Sequence, residues 1–293
     1  MKIFAPQTVV AIISTFVATS VLGNDQTIRQ VQIGIGNSAV ATQKFPLNES
    51  NLILQEQIGF FNDAIAIQTI EINSTITQYQ TGQHQFSNIS QSIGSDNAGQ
   101  SVQIGSESTS FTIQYGQVNG FSLHTQDGQG QIATTVQTSG ANNSVNIDQS
   151  DRANIAAVTQ AFSFSGSAFI SQSGVINRGI SGQNGFNNEA SVTQAGALNR
   201  SELDQWGDVN SASALQGGLL NTVNIQQIGL KNVNQSTQIG LGNTISQRQQ
   251  GVNQMVNTIQ IGIFNSAQTD QITTGASSTI QQIGGFNTSQ ISQ

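Results

Sequence analysis

The chain has 293 residues, of which 8 are Lys or Arg, 15 are Asp or Glu and none is Cys, for a net charge of −7 at pH 7. Only 8% of the residues are charged and 36% hydrophobic, and the remainder is dominated by 43 Gln and 28 Asn. Ordinary globular domains are roughly 25% charged and 45–50% apolar, so apolar matter is too sparse here for a conventional core of this length. The absence of Cys excludes a disulfide scaffold, a thiol catalyst and a thiolate metal site, and the acidic balance leaves no basic footprint for nucleic acid.

The first predicted element is a targeting segment. Lys2 supplies a positive start, Val9 to Leu22 is an apolar stretch broken only by Ser and Thr, and Val21-Leu22-Gly23 suits a signal peptidase. Residues 1–23 therefore read as a signal peptide cleaved after Gly23. The apolar stretch is short of the roughly 20 residues that span a bilayer. Residues 24–31 follow as a short N-terminal segment, and residues 32–293 are a repeat region.

That repeat is marked by Gln. In its first part the markers are Gln32, Gln43, Gln57, Gln68, Gln80, Gln91, Gln103, Gln114, Gln126, Gln137, Gln149 and Gln160. They continue as Gln172, Gln183, Gln194, Gln205, Gln216, Gln227, Gln238, Gln249, Gln260, Gln271, Gln282 and Gln293. The spacing alternates between eleven and twelve up to Gln172 and is eleven thereafter, with one gap of fourteen from Gln43 to Gln57 that contains Pro46. Gly recurs two residues after the marker and Asn five after it, as in the pairs Gly34 and Asn37, Gly59 and Asn62, Gly116 and Asn119, Gly174 and Asn177, and Gly196 and Asn199. The same holds for Gly207 and Asn210, Gly229 and Asn232, Gly240 and Asn243, Gly262 and Asn265, and Gly284 and Asn287. Gly and Asn accept positive φ most cheaply, so this column pair predicts a tight turn in every half-unit.

Ahead of each marker the period changes to two, as at Val145 and Ile147 before Gln149 or Val223 and Ile225 before Gln227. Period two predicts strand. The marker column and the columns two and four residues ahead of it hold 72 positions and no charge, although 23 of the 293 residues are charged. A closed interior explains the exclusion, because an unpaired buried charge is far costlier than a neutral polar group. The expected fold is an all-β solenoid of about twelve stacked coils of 22–23 residues. Each coil is strand–turn–strand, giving two facing parallel sheets with coils about 4.7–4.8 Å apart, a cross-β, amyloid-like arrangement. In such a stack each Gln amide lies over its counterpart and donates to one rung while accepting from the other.

The pattern Gln-x-Gly-x-x-Asn-x-Ala-x-x-x-Gln resembles the curlin repeat of bacterial curli subunits. It is nearly whole from Gln32 to Gln43 and again from Gln260 to Gln271. The resemblance implies an extracellular functional amyloid, exported unfolded through an outer-membrane channel and assembled with a nucleating minor subunit into adhesive biofilm fibres. The chain departs from familiar subunits in carrying more units and in lacking a Gly-rich leader, so only residues 24–31 and the insertion Lys44 to Glu56 are left as an export tag. The final unit reaches Gln293 without a divergent basic tail, which leans toward a main fibre component.

Open sheet edges would drive polymerisation. Natural proteins blunt such edges with charge or Pro, yet Ser278 to Gln293 contains neither. The partner expected is therefore another copy of the chain, through the marker Gln ladder. The alternative is a monomeric secreted solenoid that acts as an adhesin or binds a surface, ice included. No cofactor, metal, nucleic acid or small-molecule substrate is expected: His84 and His124 are far apart, Asp127, Asp151 and Asp208 fall singly in turns, and no acids cluster for enzymatic acid–base chemistry. His124 falls in an inward column and reads as a core variant, while Trp206 follows a marker and reads as exposed.

Overall fold

A computed structural model describes residues 13–20, 26–44 and 50–293; the processing site after Gly23 and the gap residue Pro46 lie outside the described residues. Within them the period-two segments form 24 strands, and no helix is present among the described residues. Strand β1 (Ile13–Ser20) precedes β2 (Thr27–Lys44), which runs through both halves of the first coil. β3 (Leu52–Phe60) and β4 (Asp63–Ile72) form the second coil, and the same pairing repeats as far as β23 (Ser277–Gly285) and β24 (Thr288–Ser292), the twelfth.

Every strand pairs in parallel with the one a full coil away, and the register keeps the markers opposite one another, as in Gln57↔Gln80 and Gln205↔Gln227. We call the stack that carries Gln32, Gln57 and Gln80 the first wall, and the stack that carries Gln43, Gln68 and Gln91 the second. The two walls belong to one continuous sheet, because β2 passes the corner without a break and pairs with both β3 and β4. A β-strand that bends through an arc keeps its ladder hydrogen bonds, so the coil needs no separate sheets.

The arcs follow the Gly column closely. Gly59 has φ of +126°, and a Cβ built there would lie 1.9 Å from the carbonyl oxygen of Gly82 one coil on. The next coil's backbone occupies that space, so only Gly fits. The Asn column departs from the expectation in its reason. Asn37, Asn62, Asn177, Asn199, Asn210 and their equivalents are not left-handed; the residue before each is, as at Phe61, Ile176, Leu198 and Val209 with φ of 55 to 59°. The Asn itself is buried, with its side chain turned inward to cap the arc. Gly116 and Asn119 do not follow the column: Asn119 is exposed, with φ of 53°, and bonds Asn142 on the outside at 3.1 Å.

The cause lies in the twelve-residue spacings. In coils 2 to 6 the second arc carries one extra inward residue, giving the buried positions Glu71, Gln117 and Ser163 with Gly94 and Gly140 between them. The next inward positions run Ser74, Asn97, Gly120, Asn143 and Gly166. Each of these arcs has room for one large inward side chain, so a large residue in one column is matched by a small one in the other, as Asn97 with Gly94 and Gln117 with Gly120. A Cβ at Gly94 would meet Asn97 Nδ2 at 2.4 Å, and one at Gly140 would meet Asn143 Nδ2 at 2.7 Å.

Between the walls the apolar residues form two clusters. One joins Ala41, Ile53, Ala66, Ile76 and Ile89; the other runs from Ala133 and Val145 to Ile280. Coils 4 and 5 separate them with a polar stretch of Ser101, Ser110, Thr112, Ser122 and His124, all buried.

Candidate functional site: the buried amide ladders

Each marker Gln sends its side chain between the walls, and all are buried except Gln293 at the last coil. In the first wall, Gln32, Gln57, Gln80, Gln103, Gln126, Gln149, Gln172, Gln194, Gln216, Gln238, Gln260 and Gln282 form eleven consecutive bonds of 2.5 to 3.0 Å. The second wall repeats this through Gln43, Gln68, Gln91, Gln114, Gln137, Gln160, Gln183, Gln205, Gln227, Gln249, Gln271 and Gln293 at 2.7 to 3.2 Å. In all of them Nε2 donates toward the C-terminal coil and Oε1 accepts from the N-terminal side.

This shared direction has a local cause. The second N–H of the amide points across the coil to the backbone carbonyl that opens the preceding half-coil. Gln80 donates to Asp63 O at 3.1 Å, Gln205 to Glu189 O at 2.7 Å and Gln227 to Ser211 O at 3.0 Å. A reversed amide would set Oε1 against that carbonyl, so the opposite wall fixes the orientation. Each bond adds about 1 kcal/mol net, and removing one partner leaves a buried amide group at about 1–3 kcal/mol.

The Asn column forms a second set of ladders in the arcs. Asn199 takes its backbone N and Nδ2 to Asn177 Oδ1, both at 3.1 Å, and Nδ2 also reaches Ala195 O and Gly218 O. Asn221, Asn243, Asn265 and Asn287 repeat the bond to the preceding Asn at 2.9 to 3.1 Å. Asn37 and Asn62 cap the first arcs in the same way, and Asn62 N donates to Asn37 Oδ1 at 3.0 Å.

Three features escaped the sequence reading. Gln30, Gln55 and Gln78 form a short third ladder two residues ahead of the markers, at 2.6 and 2.7 Å; their near-equal spacing was its signal. Glu71 is a fully buried carboxyl that accepts from Ser74 Oγ at 2.7 Å and Asn97 Nδ2 at 3.1 Å. Burial pushes its pKa up, and those two hydrogen bonds offset only part of the rise. Finally, Asp151 and Asp208 each accept an arc N–H, from Gly174 at 2.9 Å and Phe186 at 3.0 Å. Their carboxylates satisfy backbone donors one coil away, in addition to adding surface charge.

His124 lies in the core, 2.8 Å from Ser110 Oγ and 2.7 Å from Thr135 Oγ1. Burial lowers its pKa to about 3, so the ring is neutral. His84 lies outside, stacked on Phe61 with ring centroids 5.3 Å apart, and Trp206 is exposed. Among the described residues no three His, Asp or Glu side chains gather in a form that could hold a metal ion.

The fold and these ladders define a parallel β-solenoid whose coils are held in register by like-on-like amide bonds. The sequence model of the curlin associated repeat matches residues 165–196, a stretch holding Gln172, Gln183 and Gln194. The chain thus carries the curlin repeat, and the coils on either side of the matched stretch repeat its register. No curated protein matches the chain.

Proposed function

We propose that this chain is the structural subunit of an extracellular curli-like amyloid fibre, adding copies end to end and supporting adhesion within a biofilm matrix. One observation carries the proposal: every marker Gln bond points the same way. The twelfth coil therefore presents two amide donors, Gln282 and Gln293, and the first coil presents an amide acceptor, Gln43. The acceptor Gln43 Oε1 is buried and has no hydrogen-bond partner. Both end coils carry the same eleven-residue spacing and a matching Asn, Asn287 and Asn37, so a second copy continues the ladders without a change of register. At the C-terminal end β23 and β24 each pair on one side only, leaving a sheet edge for strand addition.

The leader bears on the timing. β1 lies parallel on residues 35–43, the edge that an incoming copy would use. Removing residues 1–23 as a signal peptide would bare that edge after export. An outer-membrane channel and a nucleating minor subunit are the further partners expected, with residues 24–31 the candidate export tag. The material is fibre, so no substrate or cofactor enters.

The test is seeded assembly of residues 24–293. Elongation with a lag that seeds abolish, dye binding and cross-β diffraction at about 4.8 Å and 10 Å are the expected results. Gln227→Ala with Gln249→Ala should slow elongation, while a monomer that persists for days in buffer would overturn the proposal in favour of a solitary adhesin.

A further inference from the structure

The second wall changes character along the rod. On its outer face, coils 2 to 6 carry Ile65, Ile67, Phe111, Ile113, Ile132 and Val136, interspersed with uncharged polar residues such as Asn88 and Ser90 of coil 3, and one charge, Asp63, at the rim. Coils 7 to 12 carry six charges on the same face: Arg178, Arg200, Glu202, Asp204, Arg248 and Asp270. Ile132 is 41% exposed, and the other five are half-buried by their neighbours in the stack with their outer sides toward solvent. Period two makes these side chains outward ones; they are not part of the core between the walls.

We propose that this face is where a second copy of the chain packs sideways, wall against wall. Three arguments select that occupant. Five strands about 4.8 Å apart and seven residues of about 3.3 Å give about 500 Å² per copy, so two copies bury about 1,000 Å², the lower bound for a specific interface. The side-chain rows repeat at the strand spacing, and only another cross-β wall offers rows at the same interval, letting the two faces interdigitate about 10 Å apart. Antiparallel rods related by a two-fold axis set coil 2 against coil 6, which keeps the two Asp63 carboxylates at opposite ends. In a fibre the face recurs once per subunit, so a weak contact becomes strong by multiplicity. Only this amplification rests on the fibre reading; pairing of single rods does not.

The experiment compares wild-type residues 24–293 with the double variant Ile67→Lys and Ile113→Lys, whose outward side chains leave the core untouched. The polar half of the same wall supplies a control, Gln226→Lys with Ser246→Lys. Circular dichroism should show equal strand content in all three. Wild type and control should give paired fibres by electron microscopy, and the apolar-face variant single fibres with an unchanged seeded elongation rate. Sedimentation of freshly prepared protein gives a readout without fibres: the variant should raise the concentration needed for dimerisation at least about tenfold. Equal pairing in variant and wild type overturns the proposal. So does a wild type that stays monomeric while binding phosphatidylcholine vesicles through this face, which would assign it to a lipid surface. Should no fibre form at all, the fibre reading falls, and the sedimentation result still decides the sideways contact.

Discussion

Coils 2 to 6 and coils 7 to 12 share one backbone plan and differ in their second arc, in the outer face of the second wall and in how polar the interior is. Coils 4 and 5 enclose Ser101, Ser110, Thr112, Ser122 and His124, and coil 2 encloses Glu71; coils 7 to 12 enclose Ile170, Val192, Leu203, Ile225 and Ile245 and turn Arg178, Arg200, Asp204 and Arg248 outward. The later coils also stack Asn through the first arc and, as Asn188, Asn210 and Asn232, through part of the second, whereas the earlier ones fill their second arc with an extra column. Amide ladders run unbroken through both halves. The register of this rod therefore depends on the Gln columns and the arcs, while apolar burial adds stability unevenly along it.

The largest effect is expected where the halves are alike. Gly105→Val would put a Cβ 2.0 Å from Gly128 O, with the backbone stacked on both sides and nowhere to move. A loss of about 3 kcal/mol or more is expected in the denaturation midpoint, whereas Gly217→Ala, with nothing within 4 Å, should be nearly neutral.

The next comparison separates the cores. Ile225→Ala in the apolar half should lower stability by about 2–4 kcal/mol. Thr135→Ala in the polar stretch of coils 4 and 5 should lower it by about 1–3 kcal/mol, because it strips a hydrogen-bond partner from His124. Hydrogen exchange resolved by coil would locate both losses.

Titration sharpens the contrast, since the two fully buried titratable groups, His124 and Glu71, both lie in the earlier half. The native His124 has a pKa of about 3 against an ordinary 6.5. Between those values the unfolded chain holds a proton that the native chain does not, so stability is in place above about pH 6.5 and is lost as pH falls toward 3. Glu71 has the opposite sign. Its pKa is raised above the ordinary 4.5, so its contribution is full below that value and is lost as pH rises through the native one. Exchange in coils 2 to 6 should accelerate in acid, and His124→Gln should flatten that slope while Glu71→Gln removes the alkaline one. Coils 7 to 12 should respond to neither variant.

The smallest effect belongs to the outer face of the later half. Arg248 makes a two-pronged bond with Asp270 one coil on, at 2.9 and 2.7 Å. Arg248 is exposed and Asp270 only half-buried, so Arg248→Ala should leave the denaturation midpoint nearly unchanged, and any difference should shrink in salt.

Much of this was legible because a solenoid turns sequence period into position. The Gln spacing set the coil length, the charge-free columns marked the interior, and Gly two residues on marked the close approach at Gly59 and Gly105. The Asn column marks the arc, but the left-handed conformation belongs to the residue before it, as at Ile176 or Val209, and the Asn turns inward as a cap. Period alone does not tell a turn residue from the side chain that satisfies the turn.

The sequence by itself determined the strands, the coil length, the inward face and the neighbours of each marker Gln, because all of these follow from local periodicity. Only the tertiary structure decided the common direction of the amide bonds, the burial of Glu71, the alternation of Gly94 with Asn97 and Gly140 with Asn143, and the continuity of one sheet around both walls. Those depend on what the opposite wall and the next coil bring within 3 Å, which no column of a single chain contains.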